Sequence, residues 1–279
     1  PGGEPLGRLS GLFDYANINA AWLAGVWPLC LASVLHPFIC GKNRVIPSVL
    51  LIAFVSSMIL TDSRNAWGAI VLGLPLVFGS ASWSWLIPLM FICVLPVIIA
   101  VLPVFDFGIQ QFARTIVPDS IWMRLNDMQF VDTRTFEATR IGQWKVAVNL
   151  IFEKPWLGWG AAAFSIIYPL RTGLFHGHSH NLPLELAISH GILVSFLINI
   201  FVFSLLIISG LYGIFNRLNS TKNIIVDRAW WTSTLILICF HATDIPLFDS
   251  RINILGWILL IGLRCMIYNS TSYDISLKI

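Results

Sequence analysis

Seven apolar runs alternate with short polar intervals along the chain, at residues 18–36, 45–60, 66–79, 83–104, 192–215, 229–248 and 252–268. At about 1.5 Å per helical residue, roughly 20 residues cross the hydrocarbon of a bilayer, so the pattern predicts transmembrane helices, with the second and third short. No period-two alternation of the β-barrel kind is visible. The fold predicted is all-α: a polytopic helical membrane bundle. One interval breaks the rhythm, because residues 105–191 form a long polar interruption with seven acids and seven bases. It is expected to be a large extracytoplasmic loop containing short helices. The chain therefore divides into 1–104, an N-terminal extracytoplasmic segment and four transmembrane helices; 105–191, a loop module; and 192–279, three C-terminal transmembrane helices.

Inside the loop module, Ile141, Trp144, Val148 and Ile151 recur at helical spacing. This predicts a helix on the membrane surface, opened by Arg140 and stopped by Pro155. Trp156-Leu157-Gly158-Trp159-Gly160 reads as an interfacial turn. Residues 181–189 read as a short helix with Pro183 in its first turn, and Gly191 as the break before the fifth run.

Composition strengthens the membrane reading. The chain is 57% apolar and 11% charged, against about 25% charge in soluble domains, and its mean hydropathy is +0.79. Twelve Trp and fourteen Pro suit a helical bundle with aromatic belts. A net charge of +3 without any basic run excludes nucleic acid as a partner and leaves membrane lipids. Cys30, Cys40, Cys93, Cys239 and Cys265 are far apart, with no C-x-x-C pair, and read as small core residues. The chain begins at Pro1 with no basic-then-apolar signal segment, so a longer protein with an N-terminal portion ahead of it is expected.

The bases also orient the bundle. With 105–191 outside the cytoplasm, Lys42, Arg44, Arg217, Lys222, Arg228, Arg264 and Lys278 fall on the cytoplasmic side. Only Arg64 and Arg251 fall in the short loops opposite, as the positive-inside rule requires. Arg64, His241, Asp244, Asp249 and Arg251 then share a face with the loop module.

Chemistry is concentrated in residues 171–191, which hold four of the six histidines, an arginine and a glutamate between apolar runs. Ionisable groups at such depth cost several kcal/mol unless they are solvated or functional. His176, His178 and His180 alternate, a pattern compatible with a metal site. No Asp, Glu or Cys lies in close register, and solvated loop histidines explain His176 and His190 equally well. His180 stands apart: with Asn181, Pro183 and Glu185 it opens the short helix where the loop meets the membrane, and a neutral imidazole there can serve as a general base. Arg64 and Arg140 carry planar forks suited to phosphate. Local ion pairs with Asp62 and Glu137 are the plainer explanation of each arginine alone. Together with His180 on one face, they describe a pocket for a lipid-linked phosphate.

Several of these residues resemble the O-antigen ligase family of bacterial membrane glycosyltransferases. They are Arg8-Leu9-Ser10-Gly11-Leu12-Phe13 followed by Asn17, Ser63-Arg64, Arg140 four residues before Trp144, Pro155-Trp156-Leu157-Gly158-Trp159-Gly160, and His180-Asn181 with Gly191. His180 and Gly191 match the family's H-x10-G signature. At the second arginine the family often has R-x3-L, whereas Trp144 stands here. The resemblance implies a multi-pass protein of the bacterial inner membrane. Its active face would be periplasmic, and it would use no cofactor and no metal. The implied partners are a glycan donor linked to undecaprenyl diphosphate and a lipid A-core or other glycan acceptor. By the same resemblance His180 is the catalytic base and Arg64 and Arg140 bind the diphosphate, with His178, Asn181 and Glu185 as supporting residues. Alternatives within the superfamily are an O-antigen polymerase and a protein O-oligosaccharyltransferase. From other classes come a small-anion transporter and an unreactive anchor that binds glycan.

Overall fold

The computed structural model describes residues 7–36, 41–102, 106–125, 135–211, 214 and 224–276, with side chains to residue 268. Cys40, Arg217, Lys222 and Lys278 lie outside the described residues, as do the C-terminal ends of the fourth and fifth apolar runs. The described chain is helical, without a β-strand. Six stretches are long and apolar enough to cross a membrane: Ala16–Leu35, Gly41–Leu60, Ser80–Val101, Ile192–Gly210, Ile224–His241 and Ser250–Tyr268. The protein is a multi-pass membrane protein, as the hydropathy pattern requires. The remaining apolar run becomes a helix of 15 residues, Arg64–Phe78, about 22 Å long, too short to span unaided.

Two compact units are present, Pro1–Val77 with Phe136–Ile279, and Phe78–Thr135. In the larger unit, α1 (Ala16–Leu35) is the central span. Its small residues Ala16, Ala20, Ala21 and Ala24 are fully buried, because they admit close packing against α2 (Val45–Leu60) and a later span, Ile224–His241. Asp62 turns the chain in the left-handed region at φ 49, so α3 (Arg64–Phe78) starts within three residues of the end of α2. The smaller unit is built on α4 (Trp83–Val101). The short helices α5 (Phe107–Ile116) and α6 (Asp119–Leu125) fold back on it. There Arg114 donates to the Ala100 carbonyl at 3.1 Å and lies 4.4 Å over the Trp122 ring.

The larger unit continues with α7 (Arg140–Glu153), α8 (Ala163–Thr172) and α9 (Leu182–His190), followed by the spans α10 (Ile192–Gly210), α11 (Ile224–His241) and α12 (Ser250–Ser276). Arg140 opens α7 as predicted, with Thr139 as its cap accepting from the Gly142 N–H at 3.2 Å. Its buried face overlaps the apolar stripe read from the sequence only at Ile151. Ala147, Leu150 and Ile151 are buried against α8 and α9, while Ile141 and Val148 are exposed. The short helices of the module provide the apolar partner for the buried face, and Ile141 and Val148 remain on an exposed apolar face.

Candidate active site

The site is assembled where α9 begins. Asn181 caps α9 by accepting from the Leu184 N–H at 3.0 Å, and its amide donates to the Ala242 carbonyl beyond the end of α11 at 2.9 Å. One residue earlier, His180 adopts φ 53, a left-handed conformation that costs a non-glycine residue about 1–3 kcal/mol where it is imposed. Contacts on both sides hold it there. Its backbone N–H donates to His178 Nδ1 at 3.2 Å, and its Nδ1 lies 3.1 Å from Asp244 Oδ1.

The other end of α9 explains the interval between His180 and Gly191. Gly191 has φ +88, and a Cβ there would collide with the Trp156 carbonyl. Gly158, at φ +67, faces the Ile188 carbonyl in the same way. These two glycines let the Trp156–Gly160 turn lie against the end of α9. Trp159 N–H then bonds to the Ile188 carbonyl at 2.7 Å, and Ile192 N–H to the Pro155 carbonyl at 2.8 Å. The H-x10-G spacing is thus the length of one capped helix, with the imidazole at its start and the backbone lock at its end.

Asp244 is buried, and it is the residue the sequence reading left without a role. Besides His180, its Oδ1 accepts from the Ile245 N–H at 2.9 Å, and its Oδ2 accepts from Asn17 at 3.2 Å. Asn17 in turn accepts from Arg8 at 2.7 Å, and Arg8 donates to the Thr61 carbonyl at 2.7 Å. Burial raises the Asp244 carboxyl, but the hydrogen bond and charge of His180, the charge of His178 and the Ile245 N–H outweigh it. The carboxyl titrates at about 2. An ionised carboxylate only accepts, so the proton of a neutral His180 resides on Nδ1 and its Nε2 carries the basic lone pair.

His178 lies beside the pair, its ring centroid 4.4 Å from that of His180 and its Nε2 3.9 Å from Asp244 Oδ1. Burial lowers its titration to about 4, helped by the neighbouring His180, His176 and Arg140 and opposed by Asp244. His178, His180 and Asp244 present ligand atoms within 4.8 Å of one another. The carboxylate missing from the local register is therefore supplied from 64 residues away. Of the remaining histidines, His176 is half-buried, packed edge-on against Tyr168 at 5.5 Å, and His190 is exposed as expected for a solvated residue. Glu185 is buried and accepts from the Ser179 N–H at 2.9 Å. Burial raises its carboxyl, an effect the Ser179 hydrogen bond opposes. It holds the histidine loop from behind.

Both arginines occupy the first residue of a helix, Arg64 of α3 and Arg140 of α7. A helix start already carries about half a positive charge, so a cation is the less favourable occupant there unless an anion binds between them. Arg140 is near enough to His178 to depress its protonation. At the same end of α7, Trp144 donates to the Ser179 carbonyl at 3.0 Å. Arg64 reaches the cluster through its neighbour: Asn65 donates to Thr243 Oγ1 at 2.8 Å, and Thr243 precedes Asp244. His180 thus contacts Asp244 directly, Arg64 adjoins the Asn65–Thr243 bond, and Arg140 acts on the neighbouring His178.

A family model described as O-antigen ligase matches residues 48–199, more than half of the chain. No match is found among curated proteins.

Proposed function

Since the chain belongs to the O-antigen ligase family, a family of membrane glycosyltransferases of the ligase and polymerase type, we propose that it transfers a polysaccharide from undecaprenyl diphosphate to a sugar hydroxyl of lipid A-core. The reaction takes place at the periplasmic face of the inner membrane. His180 Nε2 takes the proton of the acceptor hydroxyl, whose oxygen forms a bond to the anomeric carbon. The bond from that carbon to the diphosphate breaks on the opposite side, and the electron pair leaves with the diphosphate. Attack opposite to departure inverts the anomeric configuration.

Arg64 and Arg140, each reinforced by the positive end of its helix, neutralise the charge that builds on the departing diphosphate. Asp244 keeps the Nδ1 proton in place and stabilises the imidazolium that forms. His178, Asn181 and Glu185 hold the loop on which His180 sits. The observation that carries this reading is the 3.1 Å pairing of His180 with a buried, ionised Asp244, with the charge of Arg140 felt at the adjoining His178. A base needs that arrangement, and an unreactive anchor does not. The test is transfer in membranes by His180→Ala expressed at the normal level, with loss of product expected. Undiminished transfer overturns the assignment.

A further inference from the structure

The helix α7 has three faces. Gln143, Ala147 and Leu150 are buried against the module, and Ile141, Val148 and Phe152 form an exposed apolar stripe. Gly142, Lys145 and Asn149, spaced i, i+3 and i+7, share the remaining side. They line a recess of about 360 Å³, whose facing walls are Phe136 and Glu137 on the turn before α7 and Arg171 and Thr172 on α8. From Gly142 to Asn149 it runs about 10 Å along the helix.

Contacts at both ends fix these walls. A Cβ on Gly142 would run into the Phe136 carbonyl and the Glu137 backbone, so the bare glycine lets the turn lie directly on α7. Tyr168 of α8 donates to the Glu137 carbonyl. At the far end of α7, Arg171 holds Glu153 through both terminal nitrogens, at 2.6 and 2.7 Å. Between these clamps the side chains of Lys145 and Asn149 are exposed, with no hydrogen-bond or ion-pair partner among the described residues. A ligand can meet them without displacing any bond of the protein's own.

The lining identifies the class of ligand. Lys145 donates, Glu137 accepts and the Asn149 amide does both. The Phe136 ring, 53% exposed, offers an apolar face. Neighbouring hydroxyls on the edge of a sugar ring, with C–H groups on its face, match that set. Phosphate does not, because Lys145 and Arg171 are balanced by Glu137 and by Glu153, which already occupies Arg171. An anionic lipid head group is disfavoured for the same reason. The recess also adjoins the base, since Tyr168 packs against His176 at 5.5 Å and His176 against His180 at 6.3 Å. We propose that it binds an uncharged sugar of a glycan substrate, at least one unit away from the sugar that reacts at His180. The proposal rests on the glycan transfer inferred above and adds a subsite to it.

Two measurements on the full-length protein test it. First, Asn149→Leu and Lys145→Met remove polar groups from exposed positions, where folding is little affected. Each is expected to raise KM about tenfold for the substrate whose glycan enters the recess, as one or two hydrogen bonds are lost, with kcat within about a factor of two. A rise for the donor alone assigns the recess to the donor glycan, and a rise for the acceptor alone assigns it to the acceptor. Trimming that substrate to its reacting sugar is expected to erase the difference from wild type. Unchanged KM for both substrates overturns the proposal. So does a difference that survives trimming, because the substitution then acts on the reacting centre. Second, equilibrium binding of the soluble oligosaccharide released from that substrate, followed in detergent without turnover, is expected to be about tenfold weaker in Asn149→Leu. Unaltered binding overturns the recess alone, whereas full transfer by His180→Ala overturns the reading beneath it.

Discussion

His180 Nδ1 and Asp244 Oδ1 lie 3.1 Å apart, joining the start of α9 to the loop that follows α11. The carboxylate is fixed from the other side by Asn17 and Arg8, so the imidazole is aimed by a chain of hydrogen bonds that begins ahead of the first span. Asp244→Asn keeps the shape but can present an N–H to the ring, favouring the tautomer with the proton on Nε2. Transfer is expected to fall by about a hundredfold or more, with little change in KM for the donor. Steady-state kinetics in membranes checks this, and activity within a factor of about two of wild type would remove Asp244 from the mechanism.

How much of this was legible in the sequence differs from residue to residue. Apolar runs gave the spans, because length and hydropathy are set by the bilayer. Arg140 and Pro155 bounded α7 because capping and proline geometry are local. The partner of His180 was not legible: Asp244 follows a different span, and nothing in the spacing of one helix announces which distant loop packs against it. An ionisable residue just past a span, in the sequence His241-Ala242-Thr243-Asp244, was the available signal. Nor could periodicity tell which apolar face of α7 is covered, since Ile141 and Ile151 look alike until α8 and α9 are in place.

Protonation of His178 should weaken the fold at mildly acidic pH. Its titration is lowered from 6.5 to about 4, first by burial and then by His180. Between these values the unfolded chain binds more protons than the native protein, so this residue makes stability rise with pH across that window. Below about 4 its penalty is complete, up to about 3 kcal/mol. His178→Gln is therefore expected to lose less stability than wild type on going from pH 7 to pH 4.5, read as the difference in thermal midpoints in detergent. Parallel curves for the two proteins would contradict it.

Glu185 is a structural acceptor. Ser179 is fully buried, and its N–H bonds to Glu185 Oε2 at 2.9 Å. Glu185→Leu leaves that donor unsatisfied at a cost of about 1–3 kcal/mol and loosens the loop carrying His180. Glu185→Gln keeps an acceptor and should stay within about 1 kcal/mol of wild type. Thermal unfolding of the two variants, alongside their transfer rates, separates this from a proton-transfer role. In that case Gln would fail as badly as Leu.

Gly191 is expected to tolerate no side chain. Its φ of +88 and the Trp156 carbonyl both oppose a Cβ, so Gly191→Ala strains the backbone and breaks the lock between the Trp156–Gly160 turn and α9. A loss of about 2–4 kcal/mol is expected. Because α9 carries His180 at its opposite end, transfer should fall as well. Gly177→Ala serves as the control, since a Cβ there meets nothing within 4 Å.

Arg140 distinguishes charge from shape at the diphosphate. As the first residue of α7 it adds a full charge to a helix end that already favours anions. Its fork can engage two phosphate oxygens at once, whereas lysine presents a single point of charge. Arg140→Lys should therefore keep part of the activity, while Arg140→Ala should lose kcat/KM by about a hundredfold, the equivalent of one or two charge-assisted hydrogen bonds. The loss should be larger in kcat than in KM, because charge on the diphosphate grows as the glycosidic bond breaks. Removing a cation near His178 also relieves one cause of its lowered titration, so Arg140→Ala should lose less stability than wild type between pH 7 and pH 4.5. Kinetics in which Lys and Ala are equally impaired, with the loss confined to KM, would reduce Arg140 to a docking contact for the donor.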